Sequence, residues 1–216
     1  MPPLRLRLLL GAALVAGELR AGGVVGSGTP ASCTEAAFAA ALVGGGSVTF
    51  DCGAAPVVVP ITSTKTLTAA ATTIDGGGKV TLDGGNAVRV LATSFQTSLT
   101  VRNLTIRNAR ATDYGAAIRC AFQPSGNPAL TVENVVFQDN RCTQGGADVG
   151  GGAIYVLGGV AVVRDSTFTG NQGGNGGAIG YLGSMSVKEL RNISRSKSIS
   201  SAVVKAAQAI LLTKQK

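Results

Sequence analysis

The feature that most constrains this chain is a repeat. Gly151-Gly152-Ala153-Ile154 recurs 25 residues later as Gly176-Gly177-Ala178-Ile179, and a weaker copy, Gly115-Ala116-Ala117-Ile118, stands 36 residues before the first. A second motif, Phe-x-x-Asn, occurs from Phe137 to Asn140 and from Phe168 to Asn171, 31 residues apart. Periods of this size mark one turn of a stacked array. The same step of 31 relates Leu99, Leu130 and Ala161, then Val101, Val132 and Val163, then Asn103, Asn134 and Asp165, then Ile106, Phe137 and Phe168.

Within each copy, alternate residues are apolar up to the Asn or Asp, and the alternation then restarts one residue out of phase. Alternation with period two means strand, and a phase change at a residue that tolerates left-handed backbone means a corner. The fold class expected is therefore all-β, a parallel β-helix (solenoid) of five or six turns over 48–184. Successive turns pair through parallel ladders about 4.8 Å apart. Val101, Val132 and Val163 should form one inward stack, and Ile106, Phe137 and Phe168 another. Each Gly-Gly pair supplies the positive φ a corner needs. Asn140 and Asn171 should hydrogen-bond from turn to turn, as in polar ladders. One residue past the inward Val, Arg102, Glu133 and Arg164 should stack outside as plus, minus, plus.

Charge is needed to read the ends. The net charge of +8 is carried by them: residues 25–184 hold nine basic and nine acidic groups. The basic balance is thus no argument for nucleic-acid binding by the coil. Residues 1–23 read as a signal peptide, with Arg5 and Arg7 before the apolar run from Leu8 to Ala16 and small residues at Ala21-Gly22-Gly23. That run is too short to span a bilayer, so no transmembrane span is expected in the mature chain. Residues 24–47 form an N-terminal cap. There Ser32-Cys33-Thr34-Glu35 reads as a capping box, with Ser32 as N-cap and Glu35 at N3, opening a short helix. After Gly183 glycine vanishes and lysine becomes common. The basic tail 185–216 is either a foreign end or a capping helix, with an amphipathic pattern over 202–212.

The four cysteines, Cys33, Cys52, Cys120 and Cys142, are even in number and accompany a signal-like start. The pairs nearest in sequence are Cys33–Cys52, which would pin the cap to the first strand, and Cys120–Cys142, which would staple two loops. No Cys-x-x-Cys and no His is present, which argues against zinc. Asp75 and Asp83 precede glycines and read as corner residues bonding their own backbone rather than as calcium ligands. No cofactor or metal is called for.

Gly-Gly-Ala-Ile combined with Phe-x-x-Asn resembles the repeat of the polymorphic outer membrane proteins and related bacterial surface proteins with right-handed parallel β-helix repeats. The resemblance spans roughly 65–183. It implies a right-handed coil, export to the cell surface or outer membrane, and an adhesive or structural role toward a glycan or a host cell-surface ligand. Pectate lyases and polygalacturonases share such a coil, so a polysaccharide-active enzyme is the alternative. Glycoside hydrolysis needs two carboxylates facing one groove. Here the carboxylates are scattered, His is absent and aromatic residues are few. No catalytic residue is expected.

Overall fold

The computed structural model describes residues 22–121, 128–143, 150–174 and 177–182. Residues 1–21 of the signal-like segment, Gly176 and the basic tail lie outside the described residues, while Gly22 and Gly23 at its end belong to the first strand. The first rung holds β1 (Gly22–Val25), from which α1 (Glu35–Ala41) leads to the next turn with β2 (Gly46–Phe50), β3 (Val57–Pro60) and β4 (Lys65–Leu67). Next come β5 (Ala71–Asp83) and β6 (Leu91–Thr93), then β7 (Ser98–Arg107), β8 (Arg110–Ala111) and β9 (Ile118–Cys120). The last two turns hold β10 (Pro128–Gln138), β11 (Arg141–Cys142) and β12 (Ile154–Leu157), then β13 (Val160–Arg164), β14 (Thr167–Thr169) and β15 (Ile179–Leu182).

These strands form three walls. The first runs β1-β2-β5-β7-β10-β13, with β3 beside β5 and β14 beside β10; the second runs β4-β6-β9-β12-β15; the third is β8-β11. Every neighbour is parallel and comes from the next turn. The chain is a parallel β-solenoid of about five turns, with one short helix near its start.

The register follows the repeat. Val101, Val132 and Val163 face one another across β7, β10 and β13, and Ile106, Phe137 and Phe168 do the same after the corner. All six are buried, and the rings of Phe137 and Phe168 stack 4.8 Å apart. Ile118, Ile154 and Ile179 form a third stack on the second wall, so the spacings of 36 and 25 are also register steps. The corner residues Asn103, Asn134 and Asp165 have φ of 54°, 52° and 48°. That left-handed turn is what flips the apolar phase.

Two glycines of the repeat serve different ends. Gly151 has φ of 73°, as a corner requires. Gly152 does not need positive φ; it needs space. A Cβ there would lie 2.3 Å from the carbonyl oxygen of Gln172 and 2.4 Å from that of Gly177. Its N–H reaches Gly177 O at 2.7 Å, while Ala153 N–H reaches Ala178 O at 2.9 Å. The corner backbones of neighbouring turns therefore touch directly.

The Phe-x-x-Asn asparagines are buried and form the expected ladder. Asn140 Nδ2 donates to Asn171 Oδ1 at 2.9 Å and to Ile106 O at 3.0 Å, and Asn140 Oδ1 accepts from Ala109 N–H at 3.0 Å. Asn171 Oδ1 also accepts from Asn140 N–H at 3.1 Å, and Asn171 Nδ2 donates to Phe137 O at 2.9 Å. Backbone groups at a sharp bend lose their ladder partners, and these amides replace them.

The N-terminal end departs from expectation in two ways. The coil starts before Val48: β1 pairs in parallel with β2, so residues 24 and 25 belong to the first rung rather than to a cap. Gly22 lies so near β2 that a Cβ would stand 2.1 Å from Ser47 O. Helix α1 is the crossover between two parallel strands, and it buries Phe38 and Ala41. Its N-cap is Thr34, not Ser32; Thr34 Oγ1 accepts from Ala37 N–H at 3.1 Å. Ser32 ends a 3-10 turn and bonds Thr29 O at 2.6 Å instead. Thr34 already holds extended backbone angles, so the helix frame moves two residues and puts Glu35 in its first position.

Glu35 does other work there. Its carboxylate accepts from the N–H groups of Thr62 and Ser63 at 3.0 and 3.1 Å, from both their hydroxyls, and from Lys65 Nζ. Burial alone would raise its pKa, but the Lys65 and Thr62 bonds outweigh this and hold it at about 2. A depressed carboxylate adds stability above its unfolded pKa and loses it as pH falls through the folded one. Loss of this stabilisation is therefore expected as pH falls from about 4.5 to 2, worth about 2 kcal/mol once solvent screening is allowed for. Glu35→Gln should lower the melting temperature at pH 7 and flatten its fall toward pH 2, a profile that thermal melts across pH will show.

Of the two expected disulfides, one is present. Cys33 and Cys52 are joined, with Cα atoms 5.6 Å apart. Cys120 and Cys142 are buried thiols, which corrects the second pairing. They end short strands on different walls rather than sitting in loops. Cys120 stacks against Val156 on the second wall, and Cys142 stacks against Ala111 on the third. Desolvation by full burial pushes the Cys120 thiol up to about 12, with a Thr93 hydrogen bond offsetting only part of it. A thiol in that state is a poor nucleophile and packs as a small apolar group.

Candidate functional site

Parallel stacking in register turns each outward position into a column along the coil. On the first wall, Thr49, Asp75, Arg102, Glu133 and Arg164 form one column. Pro60, Asp83, Arg107, Gln138 and Thr169 form another beyond the corner. Beside the charged columns run lines of hydroxyls: Ser47, Thr73, Thr100 and Thr131 precede the first, and Thr81 and Thr105 lie between the two.

The charges are arranged in opposite pairs. Arg102 Nε meets Asp75 Oδ2 at 2.8 Å, and Arg107 Nε meets Asp83 Oδ2 at 2.7 Å. Arg164 meets Glu133 at 3.2 Å. The expected plus, minus, plus stack is thus half right: Glu133 holds Arg164, but Arg102 turns to the preceding rung. Asp75 offers it a carboxylate already fixed by Gly77 N–H at 3.0 Å and Asn103 Nδ2 at 3.0 Å. Asp83 is fixed likewise by Gly85 N–H at 2.9 Å and Asn108 Nδ2. Both are the corner residues expected. Burial would raise their pKa values, but for Asp75 the Asn103, Gly77 and Arg102 contacts pull it below the usual carboxylate range, and for Asp83 the Gly85, Arg107 and Asn108 contacts do so.

Glu133→Lys places a third cation between Arg102 and Arg164, whereas Glu133→Ala only removes a partner. Exposed cross-strand pairs are worth about 0.2–1 kcal/mol. The lysine variant should melt lower than the alanine variant, and paired thermal melts will show the order.

On the second wall, the Arg89 guanidinium ties down the corner that follows β8. It donates to Gly115 O at 2.9 Å, to Tyr114 O at 2.8 Å and to Asp113. Tyr114 packs on Tyr155 of β12, with ring centroids 4.4 Å apart. Arg110 and Arg141 face each other in register on the third wall, and both are exposed.

Among the described residues, five carboxylates are committed to ion pairs: Glu35, Asp75, Asp83, Asp113 and Glu133. No group of three or more Cys, Asp or Glu side chains converges there as metal ligands would. No helix of the described residues is long and apolar enough to cross a membrane. The motif residues Gly151, Gly152, Ala153, Ile154, Gly177, Ala178, Ile179, Phe137, Asn140, Phe168 and Asn171 all serve rung packing. What sequence reasoning missed is the partners of Arg89, Arg102 and Arg107 and the Arg110–Arg141 register; the latter was signalled by the same step of 31. Comparison with protein-family models, with curated proteins and with solved structures found no match.

Proposed function

We propose that this chain is a non-catalytic β-solenoid that acts at the cell surface or after secretion as an adhesive or structural module, in the manner of the outer-membrane repeat proteins it resembles. One observation carries the reading: five of the eight described carboxylates, Glu35, Asp75, Asp83, Asp113 and Glu133, are held as counter-ions to a lysine or an arginine. A general acid needs a raised pKa, and Asp75, Asp83 and Glu35 are all lowered. The Cys33–Cys52 disulfide supports an oxidising compartment outside the cytosol. The ligand expected is a glycan or another cell-surface molecule, met by the outward columns.

The test is a binding screen over glycans and host cells, run beside assays for uronate lyase and hydrolase products. Saturable binding without new chain ends supports the proposal. Turnover of any polysaccharide by the purified chain would overturn it in favour of an enzyme.

A further inference from the structure

The charged columns of the first wall obey one rule: neighbouring rungs bring opposite charges together. The third wall breaks it. Arg110 of β8 and Arg141 of β11 are register partners, so their side chains leave the wall one rung apart, about 4.8 Å along the coil. Both are exposed. Neither takes part in an ion pair among the described residues, in contrast to Arg89, Arg102, Arg107 and Arg164. Like charges directly opposite one another destabilise a sheet. The arrangement thus carries a standing cost that a bound anion would relieve.

The surroundings narrow the anion. Arg110 N–H bonds Val88 O at 2.9 Å, which puts the rung of Arg89 next to that of Arg110. The Arg89 guanidinium on that rung is already held by Asp113 and by the carbonyls of Tyr114 and Gly115. The two guanidiniums left facing solvent, one rung apart, suit a carboxylate or a sulfate, which guanidinium binds through paired N–H donors. A denser polyanion fits less well. The coil from 25 to 184 has no net charge, and Asp139 lies two residues before Arg141 at an exposed corner. A phosphate at every step along the axis would meet such carboxylates, and nucleic-acid affinity rests on many phosphate contacts at once.

We propose that Arg110 and Arg141 form a binding site for an acidic glycan, one bearing carboxylate or sulfate groups on spaced sugars. The site rests on the adhesive reading above and gives it a ligand class. The glycan lies along the coil axis, with one acid group bridging the two guanidiniums. Binding is weakened by salt, as screening of exposed charges requires.

The full chain and the Arg110→Gln, Arg141→Gln double variant should be titrated with polygalacturonate, heparan sulfate, neutral dextran and duplex DNA. The wild-type chain is expected to bind one or both acidic glycans and not dextran, and the double variant to lose about tenfold or more in affinity. Polygalacturonate against heparan sulfate separates carboxylate from sulfate recognition. Equal binding by the double variant, no binding of either glycan, or stronger binding of DNA overturns the site. Cleavage of polygalacturonate would sink the non-catalytic role without touching the site. A second variant needs no ligand: Arg141→Glu turns the like pair into an opposite one. It should melt higher than wild type and lose glycan binding. A lower melting temperature would show that the pair carries no repulsion to relieve.

Discussion

Replacing Asn140 with leucine lowers the melting temperature by on the order of 10 °C, the largest single effect expected in this coil. Asn140 is 0 % exposed. Its amide serves Ala109 N–H below, Ile106 O below and Asn171 above. Leucine has the same number and branching of side-chain heavy atoms and is the larger of the two, so none of the effect comes from a cavity. The cost comes from backbone groups left in an apolar interior with no water to replace the amide. Each such group costs about 1–3 kcal/mol, and two are exposed to that fate. Asn171→Leu should cost about as much. It removes the partners of Phe137 O and of the Asn140 backbone N–H, again two buried backbone groups. Equal melting temperatures for wild type and Asn140→Leu would mean that the corner finds other partners and that the ladder is incidental.

Loss of the Cys33–Cys52 bond comes second. The cysteines are 19 residues apart, and the loop they close contains helix α1. Chain entropy alone assigns about 3 kcal/mol to a loop of this size. The Cys33→Ala, Cys52→Ala variant should therefore melt about 6–12 °C below wild type. The loss should show first in the cap: the Glu35 contacts to Thr62, Ser63 and Lys65 sit on the helix that the bond anchors. Thiol titration of the unreduced, denatured wild-type chain should find only the thiols of Cys120 and Cys142. A finding of four thiols, or of a bond between Cys120 and Cys142, would contradict the arrangement.

The walls of the coil were legible because inward stacks demand the same kind of residue at the same place on every turn. Val101, Val132 and Val163 could be aligned by eye, and so could the corner residues Asn103, Asn134 and Asp165. The Phe-x-x-Asn asparagines were legible for the same reason. Partners between turns of unequal length were not. Arg102 reaches Asp75 across 27 residues and Arg107 reaches Asp83 across 24, while Arg164 reaches Glu133 across 31. A single period aligns only the last. The cap was misread because two hydroxyl residues competed to start one helix, and only Thr34 had the backbone angles for it. The second cysteine pair was misread because nearness in sequence says nothing about which wall a strand joins. Cys120 and Cys142 each end a strand of 3 or 2 residues, on walls that face different directions.

The paired charges, the buried amides and the arginine column all depend on one thing, the register of neighbouring rungs. Disulfide trapping reads it directly. Thr105 and Val136 are register partners on β7 and β10, and both point outward. Val135, one residue away, points inward beside Leu104 and is buried. Under mild oxidation of the folded chain, Thr105→Cys with Val136→Cys should form an intramolecular bond that peptide mass mapping detects. Thr105→Cys with Val135→Cys should not. A bond in the second variant but not the first would mean that the rungs are slipped by one residue, and the columns of this coil would then not exist.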